Sequence, residues 1–396
     1  MRILIISLYY KPEPGGHFFS NIAEKWAKEG HEIEILSCRP YLTDFGVEEN
    51  FQCISLNGVT VNRLPVNILF QKKVIFKALN LIKFCVYALI WSLRKPKYDL
   101  IMTSSLTPIF MAIVCRIVCK IKGSKFVYRI MDIHPEVWRY SGSFKNKLIL
   151  KLLEKIEIGN CRAANELVTL SEDMVKTISD RDKKNNLSIN IIRDGLPNAV
   201  ADGKINYIKE LENKTKFRIV YTGNIGRFQK LETVISAFHK IPEEIPIELV
   251  IVGKGLQEES LKLRADKLLN KSIKFIDFQN SITLNSIIKS ADLGLVSLLN
   301  GVERCAFPSK MFHYLDLRCP VLAIMDDCFL TNFIEKNDIG YSVPQDDVDS
   351  ISSKLVELSN IKDLKETKRN QIEKVLQNYS NNSILEQWSD LLKKLN

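Results

Sequence analysis

The run Phe217-Arg-Ile-Val-Tyr-Thr-Gly-Asn-Ile-Gly-Arg-Phe-Gln-Lys230 places two glycines and two cations directly after an apolar segment. That combination suits a diphosphate. Gly223 and Gly226 let the backbone come close to a ligand. A helix starting at Leu231 offers free N–H groups and a partial positive charge. Arg227 and Lys230 add full charges beside it. The plainer reading is an ordinary strand-to-helix turn with a surface arginine. No Walker sequence and no G-x-G-x-x-G run competes for the role. A second group is Pro308-Ser-Lys310, read as a helix start in which Ser309 caps, Lys310 lies in the first turn and His313 one turn in. Taken alone, it is a helix with a lysine. A third is Asp132, His134 and Glu136 just past an apolar strand, where open parallel sheets place ligands and a carboxylate or imidazole can act as base. The fourth is Pro14-Gly-Gly-His17, in which Gly15 and Gly16 permit a close loop.

These residues need a scaffold, and the apolar periodicity supplies one. Arg2–Tyr9 reads as a buried parallel strand, Phe18–Glu29 as a helix closed by Gly30, and His31–Ser37 as a second strand. Further strands are expected at Leu100–Thr103, Lys125–Met131, Glu166–Leu170 and Ile189–Ile192. After a polar stretch near 199–214 the pattern restarts, with strands at Phe217–Thr222, Ile247–Val252, Ile273–Phe275, Leu293–Val296 and Val321–Ile324. Alternating strands and helices imply α/β architecture with doubly wound parallel sheets. The expected domains are 1–198 and 199–380, with a C-terminal helix at 381–396 carrying Trp388 on its apolar face.

Composition limits the setting. The 396 residues carry a net charge of +10, with 29 basic and 19 acidic residues in 1–200 and 27 of each in the remainder. The excess in the first half points to an anionic partner there. Nine cysteines without a C-x-x-C pair are odd in number, which excludes a complete disulfide framework and suggests a reducing cytosol. Residues 72–95 read as a basic, apolar helix in which Lys77 and Lys83 interrupt any bilayer-spanning run. Such a segment is expected to lie at an anionic membrane surface with its lysines at headgroup level. Core packing and membrane crossing are the alternatives. Nucleic acid is not an expected partner, because no basic stretch is interleaved with aromatics.

In order along the chain, Tyr9-Tyr-Lys-Pro-Glu-Pro-Gly-Gly16, Glu29-Gly-His-Glu-Ile-Glu-Ile-Leu36, Asp132-Ile-His-Pro-Glu136, Tyr221-Thr-Gly-Asn-Ile-Gly-Arg227 and Pro308-Ser-Lys310 resemble the motifs of family 4 glycosyltransferases. The nearest likeness is to fucosamine-type transferases of bacterial O-antigen and capsule synthesis. The resemblance covers nearly the whole chain and specifies a family, not a substrate. It implies a GT-B fold: two Rossmann-like domains in tandem, facing a central cleft, with the C-terminal helix 381–396 crossing back to the first domain. It implies retaining transfer of a hexose or N-acetylated amino sugar from a UDP- or GDP-sugar to a lipid-linked glycan, with no metal or other cofactor. Arg227, Lys230 and Asp132 would carry the catalysis. Gly223, Asn224, Gly226, Gly253, Pro308, Ser309, Lys310, Met311 and His313 would line the donor. Gly15, Gly16, His17, His134 and Glu136 would face the acceptor. The protein would sit peripherally on the cytoplasmic face of the cell membrane. Two glutamates usual in the family are replaced here by Cys305 and His313, with Glu303 two positions out of register. That departure motivates two alternatives, an inactive binding subunit and a sugar-nucleotide 2-epimerase.

Overall fold

Apolar runs and amphipathic stretches alternate through the chain as β–α repeats. A computed structural model describes residues 1–11, 16–39, 53–66, 74–107, 109–140, 142, 144, 146–182, 187–194, 208, 211 and 215–396. The residues divide into two compact units, Met1–Asp194 with Asn382–Asn396, and Gly195–Asn381.

The first unit contains, in chain order, β1 (Arg2–Ile6), α1 (His17–Lys28), β2 (Glu32–Cys38), β3 (Cys53–Leu56), β4 (Val59–Leu64), α2 (Val74–Arg94), β5 (Leu100–Ser104), α3 (Phe110–Lys122), β6 (Lys125–Arg129), α4 (Glu136–Tyr140), α5 (Lys147–Ala163), β7 (Glu166–Thr169), α6 (Glu172–Arg181) and β8 (Ile189–Ile191). Its sheet has the order β3-β4-β2-β1-β5-β6-β7-β8. All neighbours are parallel except the β3–β4 hairpin. Asn57 and Gly58 turn that hairpin with φ of 51° and 82°, the left-handed pair a two-residue hairpin turn requires. β1 is shorter than its apolar run suggests and stops at Ile6. Gly30, at φ 90°, closes α1 as expected.

The second unit contains β9 (Phe217–Thr222), α7 (Leu231–Phe238), β10 (Ile247–Val252), α8 (Glu258–Ala265), β11 (Ile273–Ile276), α9 (Ser281–Ser290), β12 (Leu293–Ser297), α10 (Lys310–Asp316), β13 (Val321–Ile324), α11 (Phe329–Lys336), β14 (Gly340–Val343), α12 (Val348–Ser359) and α13 (Leu364–Asn378). Its six parallel strands run β11-β10-β9-β12-β13-β14. Strand order therefore reverses between β9 and β12, and ligands of open parallel sheets bind outside the carboxyl ends at that point. Ile219, Leu249, Ile251, Leu295 and Leu322 form the centre of its core.

The last helix, α14 (Asn381–Lys394), belongs to the first unit. Trp388 is buried and meets Phe18 and Trp26 edge-on, at ring separations of 5.7 and 6.3 Å. Lys25 of α1 pairs with Glu386 at 2.6 Å, and Ser389 Oγ donates to Glu29 at 2.9 Å. The eight cysteines whose side chains are described are buried thiols, and none of them is in a disulfide. No described helix is long and apolar enough to cross a membrane. Because burial of the indole ties α14 to α1, Trp388→Ala is expected to cost the first unit about 3–5 kcal/mol, measured as a lowered midpoint of urea unfolding.

Candidate functional site

In the second unit the loop after β9 is held from three sides. From the β10 side, Gly223 N–H donates to Val252 at 2.9 Å and Ile225 N–H to Lys254 at 3.0 Å, while Gln257 N–H donates back to Ile225 at 3.0 Å. The two loops thus continue the sheet's ladder beyond its strands. Their approach leaves no room for a side chain at Gly253, where a Cβ would lie 1.9 Å from the Gly223 carbonyl oxygen, at a φ of 145°. From the β12 side, Leu299 N–H donates to the Phe228 carbonyl at 2.6 Å. From below, the buried Tyr314 hydroxyl accepts from Thr222 N–H at 2.9 Å and donates to the Leu295 carbonyl at 3.3 Å. Tyr221 Oη donates to the Asn224 carbonyl at 2.6 Å.

Tyr314 also decides where Lys310 goes. The two lie four apart, on one face of α10. With Tyr314 locked beneath β9, the Lys310 ammonium comes to 3.8 Å from the Tyr221 ring centre. It is also 3.5 Å from where a Cβ on Gly223 would stand. No carboxylate pairs with it among the described residues. Burial pulls its pKa down to about 7. A desolvated cation facing an open glycine turn is a place for an anion.

The other expected donor residues fall into distinct positions. Arg227 and Asn224 are exposed, and Arg227 opens a short 3₁₀ turn, Arg227–Gln229, before α7. Lys230 is not a free charge, since its Nζ is paired with Asp346 in the loop after β14. Gly226 N–H is taken by Gln229 Oε1 at 3.1 Å. Gly253 is required by backbone packing. Ser309 is exposed next to a half-buried Pro308, and its side chain does not cap α10, contrary to expectation. Its φ of −57° and ψ of −19° already place it in helical conformation, outside the extended geometry a capping side chain needs. Met311 is core, and its N–H is engaged by the Pro308 carbonyl at 3.3 Å. His313 meets Asn285 of α9, Nε2 to Oδ1 at 2.8 Å, and burial lowers its pKa. Sequence reasoning passed over Glu303. It is buried after β12, burial raises its pKa, and its Oε2 has no hydrogen-bond partner. Ser297 Oγ and Gln345 Nε2 are likewise buried without partners, at the ends of β12 and β14. The signal is that Glu303 is the one acidic residue between β12 and α10.

In the first unit the strand order reverses between β1 and β5. Ser105, just after β5, accepts from Met131 N–H at 2.9 Å and Asp132 N–H at 3.0 Å. This presents Asp132 beyond β6, where burial raises its carboxyl to about 6. His134 is buried against Trp138 at 4.6 Å with Nδ1 unpartnered, and burial, then Arg181, lowers its pKa to about 4. Glu136 is not an available base, because Arg181 holds it in an ion pair and also donates to the His134 carbonyl at 3.2 Å. Gly16 is buried, and a Cβ there would stand 2.4 Å from Tyr10 backbone. Pro14, Gly15 and the side chain of His17 lie outside the described residues. Among the described residues no group of three or more His, Cys, Asp or Glu could hold a metal ion.

Comparison with known proteins meets this geometry at the second unit. Residues 204–376 match the glycosyl transferases group 1 family. The second unit carries a group 1 glycosyltransferase domain. The chain is similar to the putative colanic acid biosynthesis glycosyl transferase WcaI of Escherichia coli (strain K12), 26% identical over 337 residues, 80% of this chain and 81% of that one. Among solved structures, sucrose-phosphate synthase from Thermosynechococcus elongatus superposes with a TM-score of 0.75 at 14% identity, over 100% of this chain and 98% of that one. Anabaena HepE in complex with UDP gives 0.69 at 14%, over 100% of both. The two parallel sheets are those of the GT-B fold.

A pH dependence follows for the group 1 domain. Without a ligand the Lys310 ammonium is lost as pH rises through about 7, and an anion placed beside it would favour the charged form. Affinity for a nucleoside diphosphate is therefore expected to fall above pH 7, by up to about tenfold per pH unit until the raised pKa of the complex is reached. Lys310→Arg, which stays charged, is expected to flatten the profile. Isothermal titration calorimetry across that range measures both.

Proposed function

We propose that the chain is a retaining glycosyltransferase that moves a hexose or an N-acetylated amino sugar from a UDP- or GDP-sugar to a lipid-linked glycan, in the synthesis of a bacterial surface polysaccharide. The observation that carries this reading is Lys310, a desolvated cation without a carboxylate, set against the Gly223 turn of a group 1 domain. The name of WcaI and the UDP held by HepE support it.

In this reading the donor diphosphate lies along Gly223, Asn224 and Gly226 and meets backbone N–H groups of Ser309 and Lys310, while Pro308 starts the turn of α10 and Met311 anchors it in the core. Lys310 and Arg227 neutralise the charge that develops as the sugar–phosphate bond breaks. The neutralising charge needs no metal. Lys230 joins when the diphosphate displaces Asp346. Gly253 acts by keeping the turn against its neighbour. His313 reaches a ribose or phosphate oxygen, and Glu303 and Gln345, with their unpartnered atoms, accept and donate to sugar hydroxyls. The first unit takes the acceptor near Gly15, Gly16, His17, His134 and Glu136. Asp132, with a carboxyl near 6, orients its hydroxyl or receives its proton. The protein works at the cytoplasmic face of the cell membrane, held peripherally by an anionic lipid surface, and nucleic acid is not a partner.

Arg227 is exposed, so Arg227→Ala is expected to leave thermal unfolding unchanged. Transfer should lose about 2–4 kcal/mol of transition-state stabilisation, by analogy with a removed oxyanion donor. Steady-state kinetics with a sugar nucleotide reads the loss, and near-normal turnover would remove Arg227 from this role.

A further inference from the structure

α2 packs on α3 and α3 packs on α5, so the three form one layer of the first unit. Their outer faces are unusually apolar. On α2, Phe76, Leu79, Ile82, Val86 and Ile90 step by three or four and are all exposed, while Phe84, Cys85 and Ala88 on the opposite face are buried. On α3, Ile121 is 64% exposed, and on α5, Leu148 and Leu152 are 79% and 58% exposed. The α2 stripe is continuous by its spacing of three and four residues, and an exposed apolar surface of this kind marks an interaction site.

Charge selects the occupant. α2 and α3 each carry three basic residues and no acidic one. Lys83, Lys120, Lys151 and Lys155 stand exposed beside the apolar residues. None of these four is in an ion pair with a carboxylate among the described residues. A second copy of the chain would bring this face against itself, lysine to lysine. An anionic bilayer instead accepts apolar side chains below the headgroups and lysines among them. We propose that α2, α3 and α5 together form the membrane-docking surface, lying flat on an anionic lipid bilayer, with Ile121, Leu148 and Leu152 inserted alongside the α2 stripe. The inference rests on the membrane reading above and extends it from one helix to three.

Co-sedimentation of the full chain with phosphatidylcholine vesicles, with and without phosphatidylglycerol, tests it. The chain is expected to partition at least about tenfold more strongly onto the anionic vesicles, and less so at high salt. The double variant Leu148→Asp/Leu152→Asp should lose about tenfold or more of that binding with its thermal unfolding unchanged. Lys120→Glu/Lys151→Glu should do the same. Leu263→Asp, at an exposed position of the second unit, should bind like the parent. If the α5 and α3 variants bind like the parent while Leu79→Asp/Ile82→Asp does not, α2 alone anchors the protein and the three-helix surface is wrong, though the membrane reading stands. Absence of binding by the parent chain overturns both. Equal binding to neutral vesicles overturns the assignment to anionic lipid, as does a dimer in which Leu148 and Leu152 are buried.

Discussion

The contact on which the candidate diphosphate site depends is backbone against backbone. The loop after β9 lies on the loop after β10 closely enough that neither side chain nor water separates Gly223 from Gly253. With Tyr314 bonded to Thr222 from beneath and Leu299 bonded to Phe228 across the point of strand reversal, the turn is over-determined. A rigid turn keeps the Lys310 ammonium at a fixed place, so that no reorganisation is needed when charge develops beside it.

Charge placement follows from that rigidity. Lys310 is carried on the helix that Tyr314 locks, and loses solvation as a result. An ammonium held this way costs free energy unless an anion sits beside it. Lys230 shows the contrast. It is close in sequence to Arg227, yet Asp346 neutralises it. On the first unit the same logic acts with opposite sign. Asp132 is presented by a serine that takes two backbone donors, and burial favours its neutral form. Beside it, Glu136 stays paired with Arg181.

The parts of this arrangement that are local in sequence were legible there. A strand, two glycines and a cation within 217–230 announce the turn, and the alternation of strands and helices announces two wound sheets. What depends on distant partners was not. Lys230 and Asp346 are 116 residues apart, and Tyr314 and Thr222 are 92 apart. The role of Gly253 is visible only once two loops lie side by side. Ser309 sits where a cap is expected, but its backbone is already helical. Glu303 was set aside for being out of register, although burial in a loop depends on the path of the chain and not on spacing. The Asn57–Gly58 hairpin is a different case. Its turn chemistry was present in the sequence, and the strands β3 and β4 were missed by following only the longer apolar runs.

We propose that the turn after β9 and the Lys310 ammonium together hold a nucleotide diphosphate. A thermal-shift screen of the full chain against UDP-, GDP- and dTDP-sugars tests it most directly, because a ligand bound only by the folded state raises the unfolding temperature. At least one sugar nucleotide is expected to stabilise the parent chain, and Lys310→Met to abolish the shift. Equal stabilisation of the parent and the Lys310→Met variant, or no shift with any member of the panel, would contradict it.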